Sequence, residues 1–333
     1  MKLRLVAACF LFLCSTQVAF AQETPAEKKI ERPGVKEVQR PYSLLKPSAS
    51  FQIGGTADWV VVTNDAVWVA GSKPFTLHRI DPKTNKVIAV VELPGEACSG
   101  LEFGFGSVWV PLCTEKPSLV RVDAHTNKIV ATLPVGPAGP EGGIAASTDS
   151  IWLVTDDNGT LSRIDPTTNR VSQIVKIASG AINPIFSDGR VWISSPKTST
   201  LIAVDAESGT VVAEIPVGPQ PHFLTEGTGS IWTLNQGDGS ISRVDSKTRK
   251  LIATIHAAIP GPGGDICYGA GAVWATIFDV PLTMVDAATN KVTKQWVGLG
   301  GDSMRFGHGA LWITDYHRGW LWRIALDEFQ DSR

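Results

Sequence analysis

The chain alternates short apolar and polar stretches with a period of two residues, and one arrangement of them recurs about every 40 residues. In each copy an apolar residue precedes a tryptophan, as in Val108-Trp109, and a second signature follows about ten residues later, as in Leu119-Val-Arg-Val-Asp123. A polar turn and a further apolar stretch complete the unit. This alternation predicts four short β-strands per unit, here called A to D from the inside outward, which is the size of one propeller blade.

The tryptophan motif occurs seven times. Its members are Trp68, Trp109, Trp152, Trp192, Trp232, Trp274 and Trp312. A large aromatic residue at one fixed strand position predicts a wedge that packs between neighbouring sheets. The aspartate that ends the second signature is predicted to cap the turn that follows it. The sequence therefore predicts an all-β fold, a seven-bladed β-propeller of four-stranded blades.

The seventh unit lacks its last strand. It stops near Ile324, whereas the segment Ser50–Gly54, ahead of the first unit, resembles the missing strand D. We therefore expect this N-terminal strand to complete the last blade and close the ring, because closure leaves only short and protected sheet edges.

The residues outside the repeats predict export. A basic start, the short apolar stretch Leu5–Leu13 and the small-residue site Ala19-Phe20-Ala21 are typical of a secretory signal peptide, so a periplasmic or secreted protein is expected. Prolines among alternating Lys and Glu then predict a flexible tether. The expected segments are a signal peptide over 1–21, a tether over 22–49, the propeller over 50–327 and a C-terminal tail over 328–333.

Composition narrows the classes of partner. Charged residues make up 19% of the chain and the formal net charge is −2. These values argue against a helical array and give no electrostatic footprint for nucleic acid or for an anionic membrane. The apolar stretch near the N-terminus is shorter than the roughly 20 residues that a membrane-spanning helix needs. We therefore expect a monomer without a membrane span, whose partner is a small molecule or a protein.

The repeats resemble those of a known group of proteins. The run from Ser107 to Gly136 and its six relatives are similar to the YVTN-type repeats of bacterial secreted propellers. They are also similar to the virginiamycin B lyase (streptogramin lyase) group of seven-bladed propellers, and the similarity covers residues 50–326. The resemblance implies the fold more strongly than an activity, because such folds host unrelated functions.

Loops on one face of a propeller should surround the mouth of its central channel. Two strand-A positions of each blade are expected there: the start of the strand, nine or ten residues before the tryptophan, and the inward-facing position seven residues before it. The B-to-C loop of the last blade should reach the same face. The candidate ligand-binding residues are Asp58, Trp59, Ser99, Asn183, His222, Asp265, Asp302, Arg305 and Tyr316. Glu102 and Arg305 stand out as an acid and a base inside the same channel, either as part of a ligand site or as a structural ion pair.

Binding of a polar small molecule, peptide or protein at the channel mouth, without chemistry, is the leading hypothesis. The alternative is a metal-assisted lyase or hydrolase that acts on a lactone, an ester or a cyclic depsipeptide. In the lyase group, catalysis depends on two His and a Glu near the channel mouth and on Mg²⁺. The residues here that are available for those parts are His222, His317 and Glu102, with Glu115 as another carboxylate, although none lies in the expected Glu-x-His pairing. The sequence assigns no metal ligands.

Two cysteines flank the predicted A–B hairpin of the second blade symmetrically. Cys98 and Cys113 should therefore lie nearly opposite each other, and in an oxidising compartment this predicts a disulfide. Cys267 is then expected to be free and buried.

Overall fold

A computed structural model describes residues 33–278 and 280–329. The predicted signal peptide (1–21), the first part of the predicted tether (22–32) and the end of the predicted tail (330–333) lie outside the described residues. No helix in the described ranges is long and apolar enough to cross a bilayer.

The described chain begins with two short 3₁₀ helices and two short strands and continues into the first three blades. The N-terminal elements are η1 (Lys36–Val38), β1 (Gln39–Pro41), η2 (Tyr42–Leu44) and β2 (Ala49–Gln52). Blade one contains β3 (Thr56–Val62), β4 (Val67–Ser72), β5 (Thr76–Asp81) and β6 (Lys86–Glu92). Blade two contains β7 (Glu102–Gly104), β8 (Ser107–Leu112), β9 (Ser118–Asp123) and β10 (Lys128–Leu133). Blade three contains β11 (Ile144–Ala146), β12 (Ile151–Asp156), β13 (Thr160–Asp165) and β14 (Arg170–Lys176).

The remaining blades repeat the same order. Blade four contains β15 (Pro184–Ser187), β16 (Arg190–Ser195), β17 (Thr200–Asp205) and β18 (Val211–Pro216). Blade five contains β19 (Pro221–Gly227), β20 (Ser230–Asn235), β21 (Ser240–Asp245) and β22 (Lys250–His256). Blade six contains β23 (Ile266–Gly269), β24 (Ala272–Ile277), β25 (Val280–Asp286) and β26 (Lys291–Val297). Blade seven contains β27 (Met304–Gly307), β28 (Ala310–Asp315) and β29 (Trp320–Ala325), with η3 (Tyr316–Arg318) before β29 and η4 (Leu326–Phe329) after it.

The ring closes as the sequence predicts. Strand A of every blade contacts strand A of the next, and β27 of blade seven contacts β3 of blade one. β2 pairs antiparallel with β29 and so supplies the missing fourth strand of blade seven. The predicted all-β, seven-bladed propeller is confirmed.

A buried tryptophan lies between each pair of neighbouring blades. The seven repeat tryptophans are completely buried, and each joins a hydrophobic cluster with residues of the following blade; Trp109, for example, packs with Ile144 and Ile151. Five of their indole nitrogens donate to the backbone carbonyl five residues earlier, as Trp274 does to Gly269 at 3.1 Å. The ring therefore works as an apolar wedge whose single polar atom is satisfied within its own blade.

The strand-C arginine and the turn residues after it connect adjacent blades. Arg121 lies over the Trp109 ring, 4.9 Å from its centroid, and its Nη1 donates to Asn169 Oδ1 in the next blade at 3.0 Å. Asp123 caps its own turn by accepting from Thr126 N at 2.7 Å, and this hydrogen bond lowers the pKa of the carboxyl group. The Arg, Asp and Asn of the repeat are thus explained by turn capping and blade–blade contacts.

Two boundary predictions need correction. From residue 33 onward the predicted flexible tether is wrong, because β1 pairs in parallel with β26 as a fifth strand of blade six, and Tyr42 and Leu45 are buried. The structured chain also extends beyond residue 327, since Phe329 in η4 is 3% exposed and its ring lies 4.6 Å from that of Trp274. Proline and charge dominate the first segment and charged and polar residues the second, so isolated apolar residues that pack on the sheets gave no periodic signal.

Ring closure predicts unequal effects for two apolar substitutions in the N-terminal segment. Phe51 of β2 is buried and stacks on Trp312 at 6.1 Å, whereas the Leu44 side chain is 61% exposed. We expect Phe51→Ala to lower the free energy of unfolding by about 3 kcal/mol, because it leaves a cavity at the closing strand. Leu44→Ala should change it by less than about 0.5 kcal/mol. Urea denaturation measures both, and equal losses would contradict the closing role of β2.

Candidate functional site

Two aromatic side chains from distant blades meet across the channel axis. The Trp59 ring, from strand A of blade one, lies 6.3 Å from the Phe223 ring of blade five. Asp58 lines one cavity and Trp59 lines another, and the two cavities share no lining residue. The channel therefore contains two separate cavities, which we call the mouth cavity and the lumen cavity, and both rings line the second.

The position of Trp59 follows from an irregularity in β3. The pairing of β3 with β4 shifts register between Asp58 and Val60, and Trp59 has a φ of 44°. A β-bulge of this kind re-aims a side chain. A positive φ is unfavourable for a bulky residue, with a cost of order 1–3 kcal/mol, and such strain clusters at functional sites.

The mouth cavity lies above the aromatic pair, on the face formed by the D-to-A and B-to-C loops. It has a volume of about 320 Å³ and is built from blades one, two, three and seven. Its lining includes Thr56, Asp58, Ser72, Glu96, Cys98, Cys113, Glu141 and Tyr316. No Lys or Arg belongs to this lining. The cavity is therefore acidic and hydroxyl-rich.

The lumen cavity lies below the aromatic pair and continues along the inner strands toward the A–B turns. Its volume is about 380 Å³ and all seven blades contribute to its wall. The polar and charged residues of that wall are Glu102, Asn183, Thr225, Glu226, Asp265 and Arg305. Aromatic and aliphatic side chains, among them Phe186, Leu224 and Phe306, supply much of the remaining surface.

The candidate ligand residues divide among these environments. Asp58 and Tyr316 line the mouth cavity. Trp59, Asn183, Asp265 and Arg305 line the lumen cavity, together with Glu102. Ser99, His222 and Asp302 line neither cavity. The sequence therefore located the channel wall, but it did not separate the two compartments.

Several candidates at the rim hold the loops in place. Asn183 Nδ2 donates to the Glu141 carbonyl at 3.1 Å and to the His222 carbonyl at 3.0 Å, and so ties together blades three, four and five. The His222 ring nitrogen Nε2 also lies 3.1 Å from the Glu141 carbonyl. Ser99 Oγ donates to the Gly139 carbonyl at 3.2 Å. These contacts position Glu141 at the mouth cavity, so Ser99, Asn183 and His222 act as supports in this structure.

Arg305 forms its ion pair with Asp265 and makes no hydrogen bond or ion pair with Glu102. Its Nη1 lies 2.5 Å from Asp265 Oδ2, and the Asp265 side chain is 3% exposed. The same carboxylate accepts from Met304 N and Ser303 Oγ of blade seven. The interpretation of Glu102 and Arg305 as a structural ion pair is thus wrong, because Asp265 of the adjacent blade takes the arginine.

The carboxyl groups near the axis are poorly solvated. Burial raises the pKa of Asp58 well above its ordinary value, and the charges of Asp302 and Glu141 raise it further. Burial likewise raises the pKa of Asp302 to about 7 and shifts the pKa of Glu141 upward. In the lumen, burial raises the pKa of Glu102 to about 7, although a hydrogen bond from Phe103 N and the charge of Arg305 oppose the shift.

The three candidate catalytic residues do not form one site. The His222 ring packs on Phe223, the His317 ring contacts Phe278 and Tyr316, and Glu102 lies in the lumen cavity. In the described part of the chain, no group of three or more His, Cys, Asp or Glu side chains is arranged to hold a metal ion. His222, His317 and Glu102 therefore do not fit the Mg²⁺ that the lyase resemblance implies.

Sequence counting missed important members of both compartments. Glu96 and Glu141 lie before the predicted strand-A positions of their blades, and Phe223 comes directly after the candidate His222. The D-to-A loops differ in length and conformation, and Glu141 has a φ of 63°, so a fixed offset from the tryptophan does not locate them. The sequence did contain a signal, because two of these loops carry an acid: Glu96 lies two residues before Cys98, and Glu141 directly precedes Gly142-Gly143.

The cysteines stiffen one wall of the mouth cavity. Cys98 and Cys113 form a disulfide with their Cα atoms 5.7 Å apart, and both residues line the cavity. Backbone hydrogen bonds from Cys98 N to Pro111 O and from Cys113 N to Glu96 O set the register that brings them together. Cys267 is free and buried, and burial raises the pKa of its thiol.

Known structures share this architecture. A streptogramin B lyase structure superposes with a TM-score of 0.67 at 15% sequence identity, covering 82% of this chain and 94% of the lyase. BamB from Moraxella catarrhalis superposes with a TM-score of 0.60 at 12% identity, covering 86% of this chain and 99% of BamB. No protein-family model and no curated protein sequence matches the chain. These similarities support a virginiamycin B lyase-like propeller fold, and at such low identity they concern the fold alone.

The partly buried Glu102 carboxyl predicts a pH-dependent effect on stability. The unfolded chain loses this proton near the ordinary pKa of 4.5, whereas the folded chain keeps it until about pH 7. The folded state therefore binds more protons in this interval, and the contribution of Glu102 to stability falls as the pH rises through it. Glu102→Gln should raise the free energy of unfolding by about 1–3 kcal/mol at pH 8 and leave it nearly unchanged at pH 4.

Chemical denaturation at both pH values measures this difference. The matched control is Glu214→Gln on the exposed outer strand of blade four, which should show no such pH dependence. An equal effect of Glu102→Gln at pH 4 and pH 8 would contradict the assigned burial.

Proposed function

We propose that this protein is an exported propeller that binds a polar, amine-bearing ligand in its mouth cavity and carries out no chemistry on it. The observation that carries this proposal is the lining of that cavity, where Asp58, Glu96 and Glu141 converge with Tyr316 and no basic side chain is present. A concave, acidic and partly apolar pocket favours a ligand with a positive charge. A lysine side chain of a peptide or protein partner meets that requirement.

The aromatic pair supports binding in preference to passage. Trp59 and Phe223 meet across the axis beyond the mouth cavity, which shares no lining residue with the lumen cavity, so a ligand in the mouth is held in a cup. The disulfide and the contacts of Asn183 and His222 with the Glu141 loop keep that cup in shape. Preorganisation of this kind lowers the entropic cost of binding.

The state of the carboxyl groups supports a cationic ligand in particular. The pKa values of Asp58 and Glu141 are raised by burial and further by neighbouring charges, those of Asp302 and Glu141 at Asp58 and that of Asp265 at Glu141. A bound ammonium group favours the ionised form of each carboxyl group and relieves this repulsion. A catalytic function gains no comparable support, since His222 and His317 contact backbone and aromatic groups rather than a shared cavity.

The proposal predicts charge-selective binding that strengthens with pH. We expect isothermal titration calorimetry to show binding of acetyl-Gly-Lys-Gly-amide, with at least about tenfold weaker binding of the norleucine and glutamate counterparts. Affinity should rise with pH, because the ligand binds the deprotonated carboxylates of Asp58 and Glu141, and burial raises the pKa of both groups.

Two variants test the location of this binding. Glu96→Gln removes an exposed cavity carboxylate and should weaken lysine-peptide binding about tenfold, since charged hydrogen bonds contribute about 1.5–3 kcal/mol. Glu214→Gln, on the outer wall, should leave it unchanged. Equal affinity for the lysine and norleucine peptides, or no binding of either, would reject an amine-specific mouth site.

A further inference from the structure

The lumen cavity carries a second set of unused polar groups, separate from those of the mouth. It lies beneath Trp59 and Phe223 and is lined toward the A–B turn face by Val62, Phe186 and Glu226. Its volume of about 380 Å³ falls within the range of roughly 300–1,000 Å³ that is usual for small-molecule pockets. A ligand in this cavity would be separated from the mouth ligand by the aromatic pair.

An acid and a base face this cavity without bonding to each other. Glu102 of blade two and Arg305 of blade seven occupy equivalent positions, each paired across the sheet with its blade's tryptophan, Trp109 and Trp312. Among the described residues, the Glu102 carboxylate accepts one hydrogen bond, from its neighbour Phe103 N at 2.8 Å. Blade one lies between the two residues, so the cavity holds separated positive and negative groups.

Arg305 keeps donors available despite its ion pair. Only Nη1 is engaged, with Asp265 Oδ2 and the Met304 carbonyl, and 32% of the side chain remains exposed. Its other guanidinium nitrogens make no hydrogen bond within the described residues. A planar guanidinium with free N–H groups suits a carboxylate ligand.

Trp59 lines the lumen cavity with its ring. Its Nε1 is buried and has no hydrogen-bond partner among the described residues, so this atom is sealed from the cavity. Within the cavity the indole therefore offers apolar surface, and Arg305 is the donor for an anionic group.

We propose that the lumen cavity binds a small zwitterion, namely a free α-amino acid with an apolar side chain. Its carboxylate pairs with Arg305, and its ammonium group pairs with Glu102. Phe186, Leu224 and Phe306 then surround the side chain. The remaining charged groups of the wall are already engaged, because Asp265 binds Arg305 and Glu226 accepts from Ser187 Oγ at 2.8 Å.

Calorimetry of the full chain with leucine and two analogues tests this proposal. Leucine should bind at least about tenfold more tightly than isoamylamine, which lacks the carboxylate, and than 4-methylpentanoate, which lacks the ammonium group. Glu102→Gln should weaken leucine binding about tenfold and leave 4-methylpentanoate binding unweakened. Glu214→Gln serves as the matched control and should leave leucine binding unchanged.

Three results would overturn the assignment: no binding of leucine to the natural chain, equal binding of isoamylamine and leucine, or an unchanged leucine affinity in Glu102→Gln. Unfolding of a variant is detected separately by denaturation, and the predicted stability of Glu102→Gln above pH 7 makes it a suitable probe. Lysine-peptide binding at the mouth is measured independently, so failure of one site leaves the test of the other intact.

Discussion

Each blade is held to the next by a tryptophan ring that is completely buried between two sheets. The ring sets the spacing of the sheets. In five blades a strand-C arginine covers it, and four of these arginines reach the turn of the next blade. Seven such joints fix the angle between blades, and β2 closes the circle by pairing with β29. The positions of all residues at the axis depend on this repeated packing, since strand A has little pairing of its own beyond strand B.

Against this regular background, the departures from the repeat create the two cavities. Blade one alone places a tryptophan at the axis, through the bulge at Trp59, and blade five supplies Phe223 to meet it. The acids Asp58, Glu96 and Glu141 lie on one side of this contact, and Glu102 and Arg305 lie on the other. The contact between Trp59 and Phe223 thus lies between two cavities that differ in charge.

The fold was predictable because every unit repeats the same signal. Trp109, Arg121 and Asp123 have equivalents in other blades, so a strand missed in one unit is recovered from its relatives. The segment at Tyr42 and Leu45 was not predicted, because it has no repeat and its apolar residues lie among prolines. The candidate site was predicted only in part: Asp58 and Tyr316 line the mouth cavity as the sequence predicts, whereas the partner of Arg305 depends on which carboxylate comes closer when the blades pack. That choice between Glu102 and Asp265 is made by tertiary packing, and no local pattern encodes it.

The division of the channel by Trp59 and Phe223 is the central claim, and ordered water along the axis tests it most directly. A high-resolution crystal structure should show two groups of water molecules, one beside Asp58 and Glu141 and one beside Glu102 and Arg305, with none between the two aromatic rings. A continuous file of ordered water that passes from the mouth to the A–B turn face would contradict the account.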